Sequence, residues 1–259
     1  MCELLGMSAN VPTDICFSFS GLMQRGGKTG SHRDGWGVAF YEGKGCRVFH
    51  DPDPSAYSEM AGFIKTYPIH STKVLCHIRK ANRGRVCLEN THPFVKQMWG
   101  RNWCFAHNGQ LKGVKKSLEL KNFFPVGTTD SEHVYCWMLE KIESKFPTPP
   151  KNDKQLWKYI EILAEEVSEY GVFNFLLSDS KYLYAHCSTK LVWLTRKSPF
   201  GQATLVDEDL MVDFNDVSSA KDVISIIATQ PLTHNEVWNK AEKGDFLVFR
   251  DGLIKYQSS

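Results

Sequence analysis

Residues 37–50 read GVAFYEGKGCRVFH, and the first decision about the fold lies in them. Two runs rich in apolar residues, 37–41 and 46–50, flank Glu42-Gly43-Lys44-Gly45, so the segment predicts a β-hairpin. The pattern recurs further along the chain. Residues 173–177 and 182–186 flank Ser178-Asp179-Ser180-Lys181, and residues 253–256 pair back onto 246–249 through Asp251-Gly252, a dipeptide suited to tight hairpins. Residues 73–78, 103–107, 191–194 and 223–228 read as further strands. Between the hairpins the period changes. Val134, Trp137, Met138 and Ile142 recur at helical spacing, as do Leu156, Tyr159, Ile160, Leu163, Ala164 and Val167. Residues 56–66 make a weaker third helix, and the proline-rich FPTPPKN at 146–152 reads as a joint between adjacent helices. Hairpins near both ends with helices between them do not suit a βαβ parallel sheet. They predict an α+β fold of antiparallel sheets covered by helices.

Composition narrows the function. Of 259 residues 42% are hydrophobic and 23% charged, a globular balance, and a single domain over 1–259 is expected. Lys and Arg number 31 against 29 Asp and Glu, a formal charge of +2, which gives no electrostatic reason to expect nucleic acid or a membrane as partner. The lysines at 112, 115, 116 and 121 read as a solvated face. No window approaches the ~20 apolar residues of a membrane span. MCELLGMSANVPTD lacks the character of a secretory signal, so the expected location is the cytoplasm. The eight cysteines form no CxxC pair and are expected as reduced thiols. Cys104 and His107 have ligand-like spacing without a second pair, so neither metal nor cofactor is expected.

Cys2 is the first residue that points to chemistry. Removal of Met1 would leave a thiol and an α-amine on one residue, a nucleophile with its own base. Ordinary values of ~8 for the amine and ~8.5 for the thiol make both usable near neutrality. Four polar segments lie at predicted strand or helix ends. Asp34-Gly35-Trp36-Gly37 reads locally as a glycine turn. Arg79, in HIRKANRG from residue 77, is placed to grip a carboxylate with two parallel hydrogen bonds, or else to make a surface ion pair. Asn108-Gly109 offers a side-chain and a backbone donor for an oxyanion, and also fits a turn. Thr129-Asp130-Ser131-Glu132 reads as a helix N-cap with an acid beside it.

In this order the segments resemble the glutaminase domain of class II glutamine amidotransferases, members of the N-terminal nucleophile hydrolases. The matching pieces are Cys2, His77-Ile78-Arg79, Asn90-Thr91-His92-Pro93-Phe94, His107-Asn108-Gly109 and Thr129 to Glu132, with Arg25-Gly26 and Asp34-Gly35 as further elements. CELLGMSANVPTD, QRGG, DGWG, GRNW, AHNGQL, FNFLLSD and IATQPLTHNEVW extend the likeness over nearly the whole chain, to the stand-alone bacterial YafJ type.

The resemblance implies a four-layer αββα sandwich of two antiparallel sheets. It also implies Cys2 as nucleophile, Asn108 and Gly109 as oxyanion donors, Arg79 and Asp130 as clamps on substrate carboxylate and ammonium, and no cofactor. Arg25, Trp36 and Asn82 are weaker candidates for support. Where larger synthases of the class read RWATHG, this chain has Lys80, Asn82 and Arg83 in place of Trp, Thr and His. No synthase domain follows, so an ammonia acceptor would be a separate enzyme. Two alternatives stay open: hydrolysis of a γ-glutamyl amide or peptide on the same scaffold, and a non-catalytic binding protein.

Overall fold

The structure is a computed structural model that describes residues 2–67, 69–81 and 84–258. The chain runs β1 (Glu3–Asp14), α1 (Cys16–Gln24), β2 (Trp36–Glu42), β3 (Gly45–Asp51), α2 (Glu59–Thr66), β4 (His70–Ile78), β5 (Phe94–Met98) and β6 (Arg101–Asn108). It continues with α3 (Val114–Ser117), α4 (Asp130–Lys145), α5 (Asp153–Ser168), β7 (Asn174–Ser178), β8 (Leu183–His186) and β9 (Val192–Lys197). Then come β10 (Gln202–Thr204), β11 (Met211–Asp213), α6 (Phe214–Val217), β12 (Val223–Ala228), β13 (Asn239–Lys240), β14 (Phe246–Arg250) and β15 (Leu253–Gln257).

Two large sheets form, ordered β13-β9-β12-β1-β4-β2-β3 and β15-β14-β8-β7-β6-β5, and the pairings within both are antiparallel. The three expected hairpins are present as β2–β3, β7–β8 and β14–β15. Asp251 and Gly252 both take positive φ, at 54° and 73°, the geometry a tight hairpin turn requires. The FPTPPKN joint connects α4 to α5.

The core falls into three slabs, and these define four layers. Alternate residues of β1 face opposite sides. Leu5, Met7 and Ala9 pack with Phe19 and Leu22 of α1 and Ala61 and Ile64 of α2, outside the first sheet. Leu4 packs with Leu75, Ala106, Leu176 and Leu247, between the sheets. On the far side, Phe105, Phe175 and Tyr184 meet Val134, Met138 and Ile142 of α4 and Ile160, Leu163 and Val167 of α5. Helices cover one face of each sheet, and the sheets cover each other, as the resemblance implied.

Alternation and propensity find no strand at 3–14, yet β1 is a central strand, paired with β12 on one side and β4 on the other. Its two buried faces remove the polar–apolar alternation that marks a half-exposed strand. Likewise α1, CFSFSGLMQ, buries Ser18 and Ser20 along with Phe19 and Leu22 and so lacks a polar stripe.

Candidate active site

Strand pairing places Cys2. Glu3 sits opposite Ile78 in the β1–β4 ladder, so the residue before Glu3 lies beside the chain leaving β4. The Cys2 thiol therefore meets the backbone of Lys80, whose N–H lies 3.3 Å from Sγ and whose carbonyl lies 3.6 Å away. Cys2 is half-buried. Burial pushes its pKa up, and the Lys80 N–H acts in the opposite direction. The thiol is held protonated, so nucleophilic use of it calls for a base.

Arg79 follows directly from β4 and is 4% exposed. Its Nη1 donates to the carbonyls of Asp34 and Arg85, at 3.3 and 3.1 Å. No carboxylate among the described residues lies within 4.0 Å of the guanidinium. The DGWG segment is what fixes this turn. Asp34 N–H donates to the Arg79 carbonyl, Arg79 N–H donates to Gly35 O, and Asp34 Oδ2 accepts from Ala81 N–H at 2.7 Å. Gly35 takes φ 108°, which favours glycine.

Asp130 opens α4. Thr129 is the N-cap, its hydroxyl accepting from Glu132 N–H at 3.1 Å. The Glu132 carboxylate reaches back to the N–H groups of Val126 and Gly127 at 2.9 and 2.8 Å, which pins the loop ahead of the helix. The expected cap is thus Thr129. Asp130 accepts instead from Leu111 N–H at 2.8 Å and Ser131 N–H at 3.0 Å. It ties the start of α4 to the chain leaving β6.

Asn108 ends β6 and is fully buried. Its Nδ2 lies 3.5 Å from Thr229 Oγ1, which already accepts from Leu4 N–H at 2.8 Å, and its Oδ1 finds no partner among the described residues. Gly109 is dictated by space, since a Cβ there would sit 1.8 Å from the Val172 carbonyl oxygen. His107 donates from Nε2 to that same carbonyl at 3.0 Å. Burial holds it neutral, so Nδ1 accepts from the Ser131 hydroxyl at 2.8 Å.

Cys2, Arg79, Gly109 and Asp130 line one cleft of about 650 Å3. Asn108 lies buried beside it, between His107 and Gly109, which both reach the wall. Arg25 and Trp36 do not line it. Arg25 donates to Glu3 at 3.1 Å, and so touches the residue after Cys2. Trp36 packs against Phe19 with ring centroids 5.7 Å apart, in the core outside the first sheet. Asn82 lies outside the described residues. The described residues include no group of three metal-ligating side chains. Among the described residues, no helix is long and apolar enough to cross a membrane.

Several further residues near the cleft received no role in the sequence reading. Glu3, 2% exposed, is gripped by Arg25 and by Gln230 Nε2 at 2.9 Å. Asn90 joins the loop after β4 to the α4 cap by accepting from Thr128 N–H at 2.7 Å and donating to Arg85 O at 3.1 Å. His92 lines the cleft, and the His77 ring lies tilted against it with centroids 4.2 Å apart. The NTHP motif marked Asn90 and His92. Glu3, Thr229 and Gln230 fall within quoted stretches of the resemblance, but no local pattern gave them a role, because their partners are far away in the chain.

Residues 1–259 match the family described as class II glutamine amidotransferases. The chain is 59% identical to the YafJ protein of Escherichia coli, named as a glutamine amidotransferase, across 96% of this chain and 97% of that one. A Haemophilus influenzae protein named likewise is 45% identical, over 97% and 85% of the two chains. The crystal structure of a predicted glutamine amidotransferase from Pseudomonas aeruginosa superposes with a TM-score of 0.78 at 46% identity, over 98% of this chain and 100% of that one. At 13% identity, glutamine phosphoribosylpyrophosphate amidotransferase of Bacillus subtilis gives a TM-score of 0.64 over 99% of this chain and 49% of that one, a likeness of fold alone. That fold is the N-terminal nucleophile hydrolase sandwich, and by sequence along its whole length the chain belongs to the class II glutamine amidotransferases.

Proposed function

We propose that the cleft hydrolyses the side-chain amide of a γ-glutamyl substrate through a thioester on Cys2, and that glutamine is the simplest such substrate. The observation that carries this is the pairing of a thiol with two unneutralised clamps. Arg79 is a buried guanidinium without a carboxylate, and Asp130 is a carboxylate without a basic partner among the described residues; both share the cleft with Cys2. An amino acid carries the two complementary charges. Arg79 would bind its α-carboxylate and Asp130 its α-ammonium, and both act by positioning.

With Met1 removed, the α-amine of Cys2 takes the thiol proton, and Sγ attacks the amide carbon. The oxyanion is held by Gly109 N–H and Asn108 Nδ2. For that, the Asn108 carboxamide turns its Oδ1 to the Thr229 hydroxyl, which already accepts from Leu4 and has its own proton to give. One such donor is worth about 3 kcal/mol in the transition state. The amine returns the proton to the departing nitrogen, the C–N bond breaks, and water resolves the thioester to glutamate. Ammonia from glutamine would pass to a separate acceptor enzyme.

The test is intact mass after incubation with 6-diazo-5-oxo-norleucine, a glutamine-like electrophile. The expected result is a chain without Met1 carrying one adduct on Cys2, which excess glutamine blocks and which Cys2→Ala abolishes. Retained Met1 with no adduct would overturn the proposal.

A further inference from the structure

Among the described residues, the wall of the cleft carries five cationic side chains, Arg79, Lys80, Lys112, Lys115 and Lys116, and one carboxylate, Asp130. The chain as a whole is nearly balanced, at +2, so this excess is local. Arg79 and Asp130 suffice for the zwitterionic end of a glutamyl group. Four lysines then remain with no acid left on the wall to match them. They are not neutralised from outside it either, since among the described residues none of the four lies within 4.0 Å of a carboxylate. Lys80 Nζ donates to the Ser31 hydroxyl at 2.7 Å, and Lys115 Nζ to the Thr128 carbonyl at 2.5 Å, both uncharged partners. Lys112, Lys115 and Lys116 are exposed on and beside the single turn of α3, directly after the Gly109–Leu111 wall. Of the four lysines expected on a solvated face, all are exposed, and Lys112, Lys115 and Lys116, though not Lys121, stand at the rim of the cleft. The volume of about 650 Å3 is in the range that holds ligands much larger than one amino acid.

We infer that the substrate is a γ-glutamyl amide whose leaving amine bears an anionic group, a carboxylate held by the lysine rim. This rests on the amide-hydrolase reading above and specifies its substrate. The balance of the reaction is unchanged. Sγ bonds to the carbonyl carbon, the C–N bond breaks, the amine nitrogen takes the proton first removed from the thiol, and water releases glutamate. Only the leaving group differs, being an anionic primary amine instead of ammonia.

The test compares kcat/KM for γ-glutamylglycine and γ-glutamylmethylamide, which differ by one carboxylate, by measuring glutamate release at about 10 mM and about 500 mM salt. At low salt the anionic substrate should be preferred by about tenfold. High salt should shrink that ratio toward one, because exposed charges are screened over ~10 Å at 0.1 M and less above it. In a Lys112→Gln/Lys115→Gln/Lys116→Gln variant, shown to be folded by its melting transition, the low-salt ratio should also fall toward one. Equal efficiency for the two substrates at low salt, or a preference that the triple variant retains, overturns the inference and leaves the amide-hydrolase reading standing. No glutamate from either substrate or from glutamine overturns both.

Discussion

Arg25 braces Glu3, the residue after Cys2, and its removal gives a sharp test. Its side chain is 8% exposed, against 3% for Glu3 and 11% for Asp207. It donates to Glu3 at 3.1 Å, to Asp207 at 2.7 Å and to the Pro231 carbonyl at 2.6 Å, joining α1, the start of β1 and the chain after β12. Arg25→Met keeps an unbranched stem and takes the arginine away from the buried Glu3 carboxylate and the half-buried Asp207 carboxylate, with His32 Nε2 still 4.0 Å from Glu3. Breaking a buried pair from one side costs about 3–5 kcal/mol. Glu3 keeps the Gln230 amide at 2.9 Å and Asp207 keeps the Thr29 hydroxyl at 2.7 Å, which argues for about 3 kcal/mol. At roughly 2–4 °C per kcal/mol for a chain of this size, the melting temperature should fall by about 6–12 °C. The control is Arg47→Met, which breaks an ion pair with Glu42 in which both side chains are 55% exposed and should cost under about 1 kcal/mol. Urea unfolding of the two variants reads the difference. Adding Glu3→Gln to Arg25→Met should recover part of the loss, because it removes one stranded charge. If Arg25→Met costs no more than Arg47→Met, the pair does not anchor the first strand and the argument is wrong.

Two further outcomes follow from the same geometry. Gly109→Ala must push the Val172 carbonyl, because the new Cβ would sit 1.8 Å from that oxygen and 2.6 Å from its carbon; glutamate release should be lost and melting lowered, and a variant with ordinary activity would remove Gly109 from the site. His77 is buried with its pKa pushed down to about 3 by desolvation, so it stays neutral in the fold while the unfolded chain binds a proton below its ordinary ~6.5. Its contribution is intact above ~6.5 and is lost as pH falls toward about 3, so stability should drop by roughly 2–3 kcal/mol between pH 7 and 4.5 on this account. The drop in urea-unfolding free energy between those pH values should be smaller by that amount in His77→Leu, and an equal drop would assign the acid sensitivity elsewhere.

What the sequence determined by itself was whatever local chemistry encodes. Hairpin turns announce themselves through residues that accept positive φ, as at Asp251-Gly252, and α4 and α5 through apolar periodicity. The residues gathered at the candidate cleft were legible where a short segment carries a recognisable pattern: a cysteine after the first methionine, an arginine leaving a strand, Asn-Gly, and an acid at a helix start. Tertiary structure decided the rest, because those decisions rest on contacts distant in sequence. β1 is a strand since its neighbours bury both of its faces, and no alternation records that. Arg25 reaches Glu3, the neighbour of Cys2, and Thr229 reaches both Leu4 and Asn108, across separations that no local pattern carries. The lysines after Gly109 read as ordinary solvated charge until the fold sets them around the cleft, because a charge gains meaning only from the charges it is brought to face.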